Sequence, residues 1–226
     1  MRALECALLK ARTEHSNFLH TRNKHVLKTL VFGVAWVAAV AAGLSVFLNY
    51  DTTPGRAGEA PLQWPRGTFK RAPDRPVLVM IAHPRCPCTR ASIGELAQIM
   101  ARLQGKLVAY VLFVKPNNAG GGWDDTQLQR DAAKIPGVTA LLDVDGAEAK
   151  RFGAETSGQT LLFAADGHLL FSGGITVSRG HPGDNIGEEA IVSLVNNHTT
   201  ERRRTFVFGC ALADRKPATQ RLNQLK

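Results

Sequence analysis

Two cysteines separated by one residue, in His83-Pro84-Arg85-Cys86-Pro87-Cys88-Thr89, are the side chains of this sequence best suited to chemistry. They follow an apolar run over 77–81 that reads as a strand. The segment after them carries Ile93, Leu96, Met100 and Leu103 near a 3.6 period, which predicts a helix over 89–104. A thiol at a helix N-terminus loses its proton more readily, because unpaired backbone N–H groups and the helix dipole favour the thiolate. Thiolates attack disulfides and bind soft metals, so both chemistries fit this junction. Thr89 and the capping box Ser92–Glu95 are alternative starts for the helix. The later start would weaken the dipole at Cys86 more than at Cys88.

The spacing constrains the redox option. Alpha carbons two residues apart lie about 5.5–7 Å from one another in an extended or turned backbone, at the edge of the disulfide range. A Cys86–Cys88 bond is therefore expected to be strained and exchange-labile. Pro87 fixes one backbone angle between the sulfurs and removes a donor. The plain alternative is two small hydrophobes buried at a helix start.

The elements that must position this pair begin with a membrane segment. Residues 30–48 form a nineteen-residue run without charge. As one helix this spans a hydrocarbon core of about 30 Å, whereas the apolar region of a cleaved signal has about 7–15 residues. Residues 1–28 hold six Lys/Arg against Glu5 and Glu14, and the first basic residue after the run is Arg56. The positive-inside rule then puts the N-terminus in the cytoplasm and the rest outside, where disulfides persist. Cys6 stays on the reducing side as an unused thiol.

The net charge of +9 invites a nucleic-acid reading, but residues 1–28 contribute +4 and residues 201–226 contribute +5. The stretch between them is neutral. The basic character thus belongs to two tails rather than a binding face, and no nucleic-acid partner is expected. The organisation read from the chain is a basic cytoplasmic segment (1–28), a transmembrane helix (29–49), a Pro-rich linker (50–75), one α/β domain (76–212) and a basic tail (213–226). Within the domain, strands are expected over 77–81, 107–114, 138–142, 160–163 and 168–172. Helices are expected over 89–104, 124–134, 146–152 and 184–197. Asp166-Gly167 marks a hairpin between the last two strands.

This order, with cysteines between the first strand and the long helix, resembles the thioredoxin-like fold: a mixed central sheet with helices on both faces. It is most similar to the membrane-anchored thioredoxin-like proteins of bacteria, through the stretch LLDVDGAEAKRFGAETSGQTLLFAADGHLLFSGGIT. More narrowly, HPRCPCTRAS, LLFSGGITVSRGHPGDNIG and a terminal VFGC resemble the bacterial group labelled RedB-like, over about residues 76–212. The resemblance implies a bacterial inner-membrane protein with a periplasmic domain. It also implies Cys86 as the attacking thiol, Cys88 as the sulfur that resolves the mixed disulfide, and a protein dithiol or disulfide as partner. Two positions depart from the family. Its redox motif is Cys-X-X-Cys, and its cis-proline, which positions substrate and keeps metals off the thiols, is replaced here by Gln159. A non-proline cis bond costs about 2.5–4 kcal/mol, so Gln159 is expected to be trans.

Other residues are candidates by position. The loop 173–185 is expected beside Cys86, with Arg179 to stabilise a thiolate and His181 as a possible metal ligand. Cys210, twelve residues beyond His198, has enough chain to return to the pair as a second resolving sulfur or a third thiolate. His83 either ends the strand or acts, and Trp123 reads as the apolar edge of a helix start. Three functions follow. The first is an extracytoplasmic thiol–disulfide oxidoreductase using Cys86, Cys88 and Cys210, with no cofactor. The second is a copper(I) metallochaperone using the same cysteines. The third is a non-enzymatic interaction module.

Overall fold

The computed structural model describes residues 2–213 apart from residues 67, 68, 121, 124 and 198, with side chains described from residue 25 onward. The side chain of Cys6, the expected helix start at Asp124 and nearly all of the expected tail fall outside the described residues. Two compact units divide at Asp51/Thr52. The first is one continuous helix, α1 (Arg2–Thr52). Within His25–Thr52 the most apolar eighteen-residue window has a mean hydropathy of 2.3 and no buried residue. At 1.5 Å per residue this part is about 42 Å long, enough to cross a membrane.

The second unit carries β1 (Val77–Ala82), α2 (Pro87–Arg102), β2 (Val108–Lys115), α3 (Gln127–Ala133), β3 (Val138–Val144), α4 (Ala147–Arg151), β4 (Gln159–Phe163), β5 (Leu169–Gly173) and α5 (Ile186–Val195). The sheet order is β3-β2-β1-β4-β5. β1, β2 and β3 are parallel, and the β4–β5 hairpin runs antiparallel to β1. This is the expected mixed sheet. Central β1 is buried on both faces, which is why it reads as an unbroken apolar run. Its pleat sends Leu78, Met80 and Ala82 to one core, with Ile93, Leu96 and Ile99 of α2 and Ile191 of α5. Val77, Val79 and Ile81 go to the other, with Ala149 and Phe152.

The second face differs from the expected linker. Within residues 53–75, Trp64 packs edge-on against Phe69, Phe152 and Phe163 at centroid distances of 5.4, 5.2 and 5.2 Å. The segment belongs to the domain. The physical reason is that α4 has only five residues and leaves this face of the sheet uncovered. Trp64 and Phe69 supply the missing apolar area.

Residues 199–212 form a strap without regular structure of its own. Its backbone bridges pair Arg204 with Ser172, Val207 with Gly55, and Ala211 with Thr156. Three glycines let it lie close. A Cβ at Gly173 would strike Thr205, one at Gly174 would strike Phe206, and one at Gly209 would strike the Ser157 carbonyl. The Gly-Gly of the hairpin end and the Gly of VFGC therefore serve one contact.

Candidate functional site

α2 starts earlier than either expected cap. Cys86 is its N-cap residue with extended backbone (φ −87, ψ 121), and Pro87 takes the first helical position, where a missing N–H costs nothing. The Cys86 N–H donates to the His83 carbonyl at 3.1 Å, and the Thr89 N–H donates to the Cys86 carbonyl at 3.1 Å. Cys86 and Cys88 are 2 % and 8 % exposed. Both stand in the first turn, so the dipole acts on both.

Ser157 ties this turn to the strap. Its hydroxyl accepts the His83 N–H at 2.8 Å and lies 2.8 Å from Thr89 Oγ1. The Thr89 proton goes to the His83 carbonyl at 3.1 Å, so Ser157 is the donor between the two hydroxyls. The Ser157 N–H donates to the Cys210 carbonyl at 2.8 Å. Sequence reasoning passed over Ser157. Its one available signal was its place two residues before Gln159, in the loop where the family carries its proline. No cis peptide occurs among the described residues, and Gln159 is trans as expected. Gly158 adopts φ +89, and a Cβ there would lie 2.9 Å from Ser92 Oγ.

The strap delivers Cys210 to Cys86, with the two sulfurs 2.8 Å apart. The sulfurs of Cys86, Cys88 and Cys210 all lie within 4.8 Å of one another. All three are free thiols. Burial pushes the Cys86 thiol up, but hydrogen bonds from the Cys210 thiol and from the backbone N–H groups of Cys210, Thr89 and Cys88 outweigh it and hold its pKa below the ordinary cysteine value. Burial, then the neighbouring Cys86 charge, raises Cys88. Burial, then the hydrogen bond to Cys86 and its charge, pushes Cys210 up to about 12. The thiolate form of Cys86 is thus favoured by a neighbour whose own proton is held more tightly.

Of the other expected residues, Arg179 belongs to the site. Its guanidinium donates to the carbonyls of Gly209 and Thr53, and its charge favours the thiolate forms of Cys88 and Cys210. His181 does not join the sulfurs. It is exposed, in a turn closed by its N–H donating to the Ser178 carbonyl at 3.4 Å, and is absent from the cysteine cluster. Its loop is held elsewhere, by buried Glu95 of α2 accepting the Gly183 N–H at 2.9 Å and the Asn185 amide at 3.2 Å. Trp123 is not the edge of α3, which begins four residues later behind a Thr126 capping box. Its ring lies 5.5 Å from that of His83 and 4.5 Å under the Arg85 guanidinium, beside the cysteine turn. A groove of about 800 Å³ runs along the strap past Val177, Ile186, Arg204, Phe206 and Phe208, and contains no cysteine.

No protein-family model matches the sequence, and no curated protein matches it. Solved structures do. An uncharacterised conserved protein from Geobacillus kaustophilus aligns with a TM-score of 0.53 at 15% identity, over 74% of this chain and 95% of that one. A hypothetical protein from Sinorhizobium meliloti aligns with a TM-score of 0.51 at 18% identity, over 71% and 93%. A secreted Mycobacterium tuberculosis disulfide oxidoreductase aligns more distantly, with a TM-score of 0.38 at 18% identity, over 55% and 82%. At these identities the similarity is one of fold. The domain has a thioredoxin-like fold, preceded by an apolar helix long enough to cross a membrane.

Proposed function

We propose that this chain is a thiol–disulfide oxidoreductase, held at a membrane by its N-terminal helix, whose exchanging pair is Cys86 with Cys210. The observation that carries this reading is the 2.8 Å separation of the two sulfurs across the strap. The resemblance to the RedB-like group supports it, since its three stretches supply Cys86, the Arg179 loop and Cys210 to one point. The basic residues before the apolar run support a cytoplasmic N-terminus and a periplasmic domain in a bacterial inner membrane.

Exposure sets the order of events. Cys86 is buried and Cys210 half-buried, so an incoming thiolate meets Cys210 first. It attacks Cys210 Sγ, the Cys86–Cys210 bond breaks, and Cys86 leaves as the thiolate that its hydrogen bonds already favour. Thiols of lower pKa leave faster. A second thiolate on the partner then attacks the partner's own sulfur in the mixed disulfide. Cys210 is released and takes a proton. The partner dithiol has lost two electrons, and the pair has gained them. Stabilising the Cys86 thiolate stabilises the reduced protein, so the pair acts as an oxidant of partner dithiols.

The test uses the oxidised full-length protein in detergent and a small dithiol peptide. The expected result is loss of the protein disulfide matched one to one by a disulfide in the peptide. A monothiol should be trapped on Cys210; trapping on Cys86, or no exchange, would contradict the reading. An alkaline phosphatase fused after Thr52 is expected to be active, because it is carried to the oxidising side of the membrane; an inactive fusion would reverse the topology.

A further inference from the structure

Cys88 has no part in the exchange just described, yet its sulfur lies within 4.8 Å of the other two. We propose that the reduced protein binds one Cu(I) ion through the sulfurs of Cys86, Cys88 and Cys210. Three sulfur ligands around one metal at a distance of about 2.3 Å stand about 4 Å from each other. The three sulfurs lie within 4.8 Å of one another, and the Cys86–Cys210 pair must open from 2.8 Å. Two of the donors are set by the start of α2, and the third rides on the strap.

The donor set selects the ion. Among the described residues, no histidine or carboxylate belongs to the cluster, and His181 faces solvent in its own turn. Hard cations need oxygen ligands, and structural zinc takes four donors, whereas all-thiolate sites suit Cu(I). The surroundings suit an anionic complex as well. The backbone N–H groups that start α2 and the Arg179 guanidinium supply positive charge next to the sulfurs. Burial of Cys86 and Cys88 keeps water from competing for the ion. Binding displaces the thiol protons and transfers no electrons. It excludes the Cys86–Cys210 disulfide, so metal and disulfide are alternative states of the same sulfurs. The proposal rests on the sulfur geometry and not on the exchange reaction.

The experiment titrates reduced full-length protein in detergent, without oxygen, with Cu(I) presented as its bicinchoninate complex. Loss of the complex's colour and the mass of the protein are read together. The expected result is one Cu(I) per chain, with each of Cys86→Ser, Cys88→Ser and Cys210→Ser weakening binding about tenfold or more. His181→Ala should change it less than about twofold, and protein oxidised beforehand should take none. These last two comparisons need no cysteine variant to fold. Copper remaining on bicinchoninate, undiminished uptake by the oxidised protein, or wild-type affinity in Cys88→Ser or Cys210→Ser would overturn the proposal. Failure here leaves the exchange reaction standing. A Cys86–Cys88 disulfide in the oxidised protein would remove the pairing proposed above and leave the metal site standing.

Discussion

Cys86 and Cys210 meet at one point but are held there in opposite ways. The Cys86 turn is built by its own neighbours: a buried strand before it, Pro87 at the first helical position and backbone hydrogen bonds to His83 and Thr89. The strap carrying Cys210 has no helix or strand of its own. It is held by single backbone bridges and by glycines whose missing side chains let it approach. One sulfur is therefore placed by local structure and the other by distant contacts. A change that loosens the strap should uncouple the pair and also raise the Cys86 thiol, which loses its hydrogen bonds from Cys210 while keeping those from the start of α2.

The strongest break in this comparison removes either sulfur. Cys86→Ser or Cys210→Ser is expected to lower dithiol oxidation by about a hundredfold or more, roughly 2.7 kcal/mol in the barrier. Cys88→Ser should retain the Cys86–Cys210 bond. Exchange assays on the three full-length variants check this, and equal losses at all three would contradict it.

Smaller breaks leave all three sulfurs in place. Trp64→Ala should cost about 3 kcal/mol, near the low end for an aromatic deletion because Trp64 is half-buried. It acts on the face of the sheet opposite α2, so denaturant midpoints should fall while thiol exchange is kept. Gly209→Ala drives a methyl into the Ser157 carbonyl, and overpacking of this kind costs about 1–3 kcal/mol. The expected result is roughly tenfold slower closure of the Cys86–Cys210 bond with the helix start unchanged. Closure at the wild-type rate would show that the strap is not held through this contact.

The smallest effect sharpens how the loop beside the strap is anchored. Burial, then the nearby Glu188 and Asp184 charges, raises the pKa of Glu95 in the folded protein above its ordinary 4.5. A raised carboxyl pKa means that the folded state binds the proton more tightly. Stability should therefore fall as pH rises from about 4.5 through the folded pKa and then level off. Glu95→Gln should flatten that slope in pH-dependent unfolding. An unchanged slope would place its origin in another group.

Much of the chemistry was legible because it is local. The cysteine turn, the strand before it and the helix after it announce themselves within twenty-six residues, and the Asp166-Gly167 hairpin is as local. Chain length alone allowed Cys210 to return, but not a choice between Cys86 and Cys88, since that depends on contacts across 124 residues. Ser157 and Glu95 are ordinary polar residues in sequence, and only burial turns them into ties between elements. Pro54, Pro61, Pro65 and Pro73 make residues 50–75 read as a linker, and the weight of Trp64 and Phe69 emerges only against the face that short α4 leaves bare. Trp123 likewise gains its place from His83 and Arg85, neither of which it neighbours in sequence.

The most direct test of the account is to map the disulfide in full-length protein oxidised under mild conditions and digested without reduction. The account predicts a peptide carrying Cys86 joined to one carrying Cys210, with Cys88 alkylated. A Cys86–Cys88 bond with Cys210 alkylated would contradict it.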